Sequence, residues 1–134
     1  MTETITLYDE TLAGERTPAL RLSLLSSRIT LRELLRRRIY EEVQEFNAAP
    51  PETQFRGLVT PTNLEHALNG DPKKPRPKQR VDWEAQYARA LEAFARNGFF
   101  VLVGDRQVDD LDAEIELKLE TDVTFFKLVP LVGG

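Results

Sequence analysis

The sequence closes on "VTFFKLVPLVGG", residues 123–134, where a hydrophobic run leads into Gly133 and Gly134. Two consecutive glycines suit one kind of chemistry. Without a Cβ they adopt backbone conformations closed to other residues and let a main chain lie close against another surface, so a carboxylate on Gly134 could pass through a channel too narrow for side chains. The pair alone is weak evidence, because at about 7% glycine a random chain ends this way about once in two hundred. Other reactive groups are few. There is no cysteine, which excludes disulfides, thiolate metal sites and a cysteine nucleophile. His66 is the single histidine, and a surface or packing position is the simpler reading for it. Asp109, Asp110, Asp112, Glu114 and Glu116 gather carboxylates without the glycine spacing of a calcium loop, so a solvated acidic edge accounts for them better than a cation site. Lys73, Lys74, Arg76, Lys78 and Arg80 form the one strong charge run, read as an extended solvated loop or as a contact for an acidic partner. No phosphate-binding loop, serine elbow or zinc spacing occurs.

With 134 residues, 41% of them hydrophobic, the chain can build one core, so residues 1–134 are expected to form a single domain. Ile5 and Leu7 alternate with Thr4, Thr6 and Tyr8, and Leu20, Leu22 and Leu24 alternate with Arg21 and Ser23; these are two half-buried strands joined by a turn containing Gly14 and Pro18. Thr30 and Glu33 make a capping box, and Leu31, Leu35, Ile39, Val43 and Phe46 form one apolar helical face. Arg32, Arg36, Arg37 and Glu42 are assigned to its solvated side. Residues 47–80 hold most of the prolines, predicting loop with a short helix at 62–69. Asp82 caps a second helix whose buried stripe is Trp83, Tyr87, Leu91 and Phe94, and Gly98 is its expected C-cap. Phe99 to Val103 reads as a buried strand, Ile115, Leu117 and Leu119 alternate again, and the last strand spans Val123 to Val129. Setting Lys127 toward water turns Thr124, Phe126 and Leu128 inward and leaves Phe125 and Val129 outward, as a partner-binding patch or as a surface covered by the 47–80 loop.

Formal charge is only −4 with both signs interspersed, so neither nucleic acid nor an anionic membrane is an expected partner. The opening "MTETITLYDE" has neither a basic start nor an apolar run, which predicts no signal peptide, no membrane span and a cytoplasmic location. Arg outnumbers Lys by 13 to 5, pointing to a GC-rich bacterial source.

Three stretches, "ITLYDETLAGERTPALRLSL" with "ITLRELL", "FFVLVGDRQVDDLD" and "TFFKLVPLVGG", together resemble the ubiquitin-like β-grasp proteins. The ending, with Pro130 ahead of the glycines, is also similar to sulfur-carrier proteins of thiamin and molybdopterin biosynthesis, and phage tail-assembly proteins share the general pattern. The resemblance covers residues 3–46 and 98–134. It implies an α+β fold, a mixed sheet packed on a helix, with a helical insertion at about 47–97 that ubiquitin lacks and a flexible tail at 130–134. Where ubiquitin carries basic residues before its glycines, this chain has Leu131 and Val132, so an activating enzyme would need an apolar groove for Val129, Pro130, Leu131 and Val132.

What the resemblance implies for function is a protein modifier and not an enzyme. Gly134, preceded by Gly133, would be the acyl donor. Its partners would be a ubiquitin-activating-like adenylating enzyme, a conjugating enzyme, a deconjugating protease and protein targets. The chain needs no cofactor of its own; ATP and Mg would be used by the activating enzyme. Two alternatives stay open: a sulfur carrier ending in a thiocarboxylate, and a non-covalent binding or assembly module.

Overall fold

The computed structural model of the chain describes residues 3–55, 57–59, 80–117 and 122–128. The alternating residues at the start form β1 (Glu3–Thr11) and β2 (Arg16–Leu24), an antiparallel pair that buries Ile5, Leu7, Leu20, Leu22 and Leu24 on one face. Gly14, at φ +86°, supplies the left-handed residue of the connecting turn. Leu7 pairs with Leu20 but Tyr8 pairs with Pro18, so Ala19 is an extra, bulged residue on β2.

After β3 (Arg28–Thr30) the period changes and α1 runs over Leu31–Ala48. Thr30 Oγ1 accepts from the Glu33 N–H at 3.2 Å, as the capping box requires. The N–H groups of Leu31 and Arg32, which no helical carbonyl can reach, donate to Ala113 and Leu111. These bonds tie the start of α1 to the segment leading into β6 (Glu114–Glu116), which pairs with β3. Asp82 caps α2 (Trp83–Ala95) by accepting from the Glu84 N–H at 3.2 Å. At its other end the left-handed residue is Asn97, at φ +59°, and the Gly98 and Asn97 N–H groups close back on Ala93 and Phe94. The C-cap expected at Gly98 is therefore Arg96, followed by left-handed Asn97 in a Schellman arrangement where Asn substitutes for glycine.

The remaining strands are β4 (Phe99–Val103), β5 (Arg106–Val108) and β7 (Val123–Lys127). Together with the first hairpin they give a five-stranded mixed sheet in the order β2-β1-β7-β4-β5, with β7 parallel to β1 and every other pair antiparallel. The described residues thus form an α+β arrangement of one mixed sheet and two helices; α1 packs against β2, and α2 packs against α1 and β4. The expected short helix at 62–69, most of the basic run, and Leu119 lie outside the described residues. Both flanks of residues 60–79 are fixed to the helices: Gln86 donates to Val59 O at 2.7 Å, and Asn47 exchanges hydrogen bonds of 2.9 and 3.0 Å with Val81.

Two expectations about facing are corrected. Phe125 is not outward: it is fully buried beside Val123 and Phe99, whereas Phe126 and Leu128 lie half-buried on the opposite face. The cause is Lys127, which does not face water but shares the face of Phe125, its ammonium 3.3 Å from Asp9. Because side chains alternate along a strand, misplacing Lys127 also misplaces Phe125 and Phe126; Thr124, expected inward, is buried. Glu42, assigned to the solvated side of α1, is buried as well.

Candidate functional site

Of the residues expected to form the site, Gly133, Gly134, Val129, Pro130, Leu131 and Val132 lie outside the described residues, and only Phe125 lies within them. Phe125 is fully buried in the core and is not part of an exposed patch. What the structure places is the point from which those residues depart. β7 lies third in the sheet, hydrogen-bonded on both sides, and ends next to Thr11 at the turn end of the first hairpin. One further bond, from the Leu128 N–H to Gly98 O at 3.1 Å, holds the chain as it leaves the strand. Close by in sequence to that end, Leu12 in the hairpin turn is 69% exposed, so an apolar side chain stands near the exit.

Beneath the end of β7 is a buried ionic network. Arg38, on the stripe of α1 that carries Leu31, Leu34 and Glu42, is wholly inaccessible. Its two Nη atoms donate to the two oxygens of Asp9 at 2.7 and 2.8 Å, a bidentate pair, and its Nε donates to Glu42 Oε1. The other Glu42 oxygen accepts from the Leu58 N–H at 3.1 Å. Lys127 reaches Asp9 from β7, and the guanidinium lies 4.4 Å from the centre of the Phe125 ring. Burial acts to raise the Asp9 carboxyl, but Arg38 and then Lys127 outweigh it and hold the group below the ordinary carboxylate range. Burial likewise acts to deprotonate Arg38, and Glu42 and Asp9 overcome it, leaving the guanidinium more basic than usual. Asp9 and Arg38 are therefore charged near neutrality, and each member of the cluster is already partnered, so the cluster has neither a free base nor an open coordination position. Its work is mechanical: it joins β1, β7, α1 and the 57–59 segment.

This network was missed in the sequence, although a signal was present. Arg38 and Glu42 are four apart and in line with Leu31 and Leu34, so an ion pair sat inside the apolar arc of the helix. Among the described residues no group of three or more histidine, aspartate or glutamate side chains is placed to hold a metal ion, and no helix is long and apolar enough to cross a membrane. Compared with known proteins, the chain matches no protein family, no curated protein and no solved structure.

Proposed function

We propose that this chain is a ubiquitin-like protein modifier whose acyl donor is the carboxylate of Gly134. The observation that carries the reading is the strand order β2-β1-β7-β4-β5 with α1 following the first hairpin and β7 parallel to β1. That order is compatible with a β-grasp sheet, and in it the chain leaves an internal strand six residues ahead of its glycine pair. An internal strand makes a rigid base, so a short glycine-ended segment can be inserted elsewhere without disturbing the sheet.

The chemistry would proceed on a partner adenylating enzyme. The Gly134 carboxylate attacks the α-phosphate of Mg-ATP and pyrophosphate leaves, giving an acyl adenylate. A partner cysteine thiolate then attacks the carbonyl carbon and AMP departs, because the phosphate oxygen is a far better leaving group than oxide. Finally a target amine displaces the thiolate and an amide is formed. In this sequence Val129, Pro130, Leu131 and Val132 are what such an enzyme would meet first, and a groove adapted to basic residues would reject them.

The test is mass spectrometry of N-terminally tagged protein recovered from its native host under denaturing conditions, alongside a version lacking Gly134. Adducts joined through the Gly134 carbonyl, absent from the truncated form, are expected. Sulfur in place of one carboxylate oxygen would replace the modifier with a sulfur carrier. Free acid alone, across growth and stress conditions, would overturn the acyl-donor reading in favour of a non-covalent module.

A further inference from the structure

We propose that the cleft where α2 begins against the end of α1 binds a free guanine nucleotide. The inference stands apart from the tail chemistry and uses no residue at the end of β7. The cleft measures about 310 Å³, at the lower end of the roughly 300–1,000 Å³ usual for small-molecule sites. Its floor is Val43 and Val81, both buried. Asn47, one turn beyond Val43 on α1, spends both ends of its amide on the Val81 main chain, at 2.9 and 3.0 Å, so the floor is fixed.

One wall of the cleft is Trp83, half-buried. Tyr40 and this ring meet edge to face at 5.4 Å, Tyr87 lies tilted at 6.5 Å, and the Arg36 guanidinium stands 6.0 Å from its centre. Held by these neighbours, the indole has its orientation set before any ligand arrives.

Three exposed polar side chains at the rim have bonding capacity to spare. Asp82 caps α2 through Oδ1, which accepts from the Glu84 N–H at 3.2 Å, and its Oδ2 has no partner among the described residues. Arg80 has no ion pair there and Gln44 no side-chain hydrogen bond. Each asks for a different feature of one ligand. A planar ring would lie on Trp83, an N–H edge would meet the unspent oxygen of Asp82, and an anion would meet Arg80. Guanine supplies that edge with its ring N–H and exocyclic amino group, while its carbonyl oxygen can accept from the Gln44 amide. Adenine turns a bare ring nitrogen toward the carboxylate and is disfavoured. A phosphate on the ribose satisfies Arg80. The net charge of −4 opposes a polymer of such units, so the occupant is a single nucleotide.

Trp83 is the single tryptophan of the chain, so its fluorescence reports on this cleft. Guanosine monophosphate is titrated into the full chain beside adenosine monophosphate, guanosine and ribose phosphate, with free tryptophan as the control for light absorption by the base. Saturable quenching by guanosine monophosphate is expected, with shifts of the Trp83 indole and Gln44 side-chain amide resonances. Guanosine and adenosine monophosphate should each bind about tenfold more weakly, and ribose phosphate should not bind. Asp82→Asn keeps a good helix cap and should erase the preference for guanine over adenine. Arg80→Ala should erase the preference for guanosine monophosphate over guanosine. A merely structural role for these residues would weaken all ligands alike, and that result would overturn the proposal. No saturable change at millimolar nucleotide, equal binding of adenosine monophosphate or ribose phosphate, or shifts confined to the sheet would also overturn it, and these outcomes need no variant.

Discussion

Moving a guanidinium out of water costs several kcal/mol, and Arg38 recovers that cost chiefly through Asp9 and Glu42. Removing one partner should therefore cost more than any surface ion pair contributes. Asp9→Asn is expected to lose about 3 kcal/mol at pH 7 in urea unfolding, since it leaves a buried charge partly uncompensated. The pH dependence follows from the depressed Asp9 carboxyl. A group that titrates lower in the folded than in the unfolded state contributes fully above its unfolded value, about 3.9, and loses that contribution as pH falls through the folded value. The gap between parent and Asp9→Asn should hence be constant above about pH 5 and shrink below about pH 4; a gap that persists unchanged at low pH would show that Asp9 carries no linkage. Gly57 tests the other arm of the network. A Cβ there would lie 2.5 Å from Phe55 and 2.7 Å from Glu42 Oε2, so it must displace a packed ring and the carboxylate that binds Leu58. Gly57→Ala should cost about 1–3 kcal/mol, and a neutral result would mean that the 57–59 segment yields freely.

At the level of elements, the first hairpin, both helix starts and β4 were legible in the sequence because each carries a local signal: alternation at Ile5 and Leu7, capping at Thr30 and Asp82, an apolar run from Phe99. What failed were assignments that depend on distant partners. Alternation at Ile115 and Leu117 marked β6, but its partner β3 is three residues long and exists through pairing across more than eighty positions, which no local pattern encodes. In β7 the error began with Lys127, whose ammonium is stabilised by Asp9 twenty-nine residues before Arg38 and on another strand. A lysine beside aromatics reads as solvent-facing when its counterion is invisible. The corrected register gives a paired test. Phe125→Ala, in the core, should cost about 3–5 kcal/mol by cavity formation, whereas Phe126→Ala, on the half-open face, should cost about 1 kcal/mol. Equal costs in chemical denaturation would contradict the facing of β7.

For the whole molecule, the glycine pair was plain in the sequence, while the network that anchors the strand before it was not. The reason is physical: a glycine pair is a property of two adjacent residues, but Asp9, Arg38, Glu42 and Lys127 become one unit only after β1, α1 and β7 have packed together. Folding and the proposed chemistry should accordingly separate. The core is built from β1, β2, β4, β6, β7, the two helices and residues Leu58, Val59, Val81 and Leu117, and a terminal glycine buries little apolar area. Deleting Gly134 is expected to leave the melting temperature within about 1 °C of the full chain while eliminating every adduct formed through the tail. A fall of more than about 4 °C, near 1 kcal/mol for a chain of this size, would make Gly134 part of the folded structure; loss of adducts could then no longer be assigned to a missing acyl donor, and the modifier reading would lose its main support.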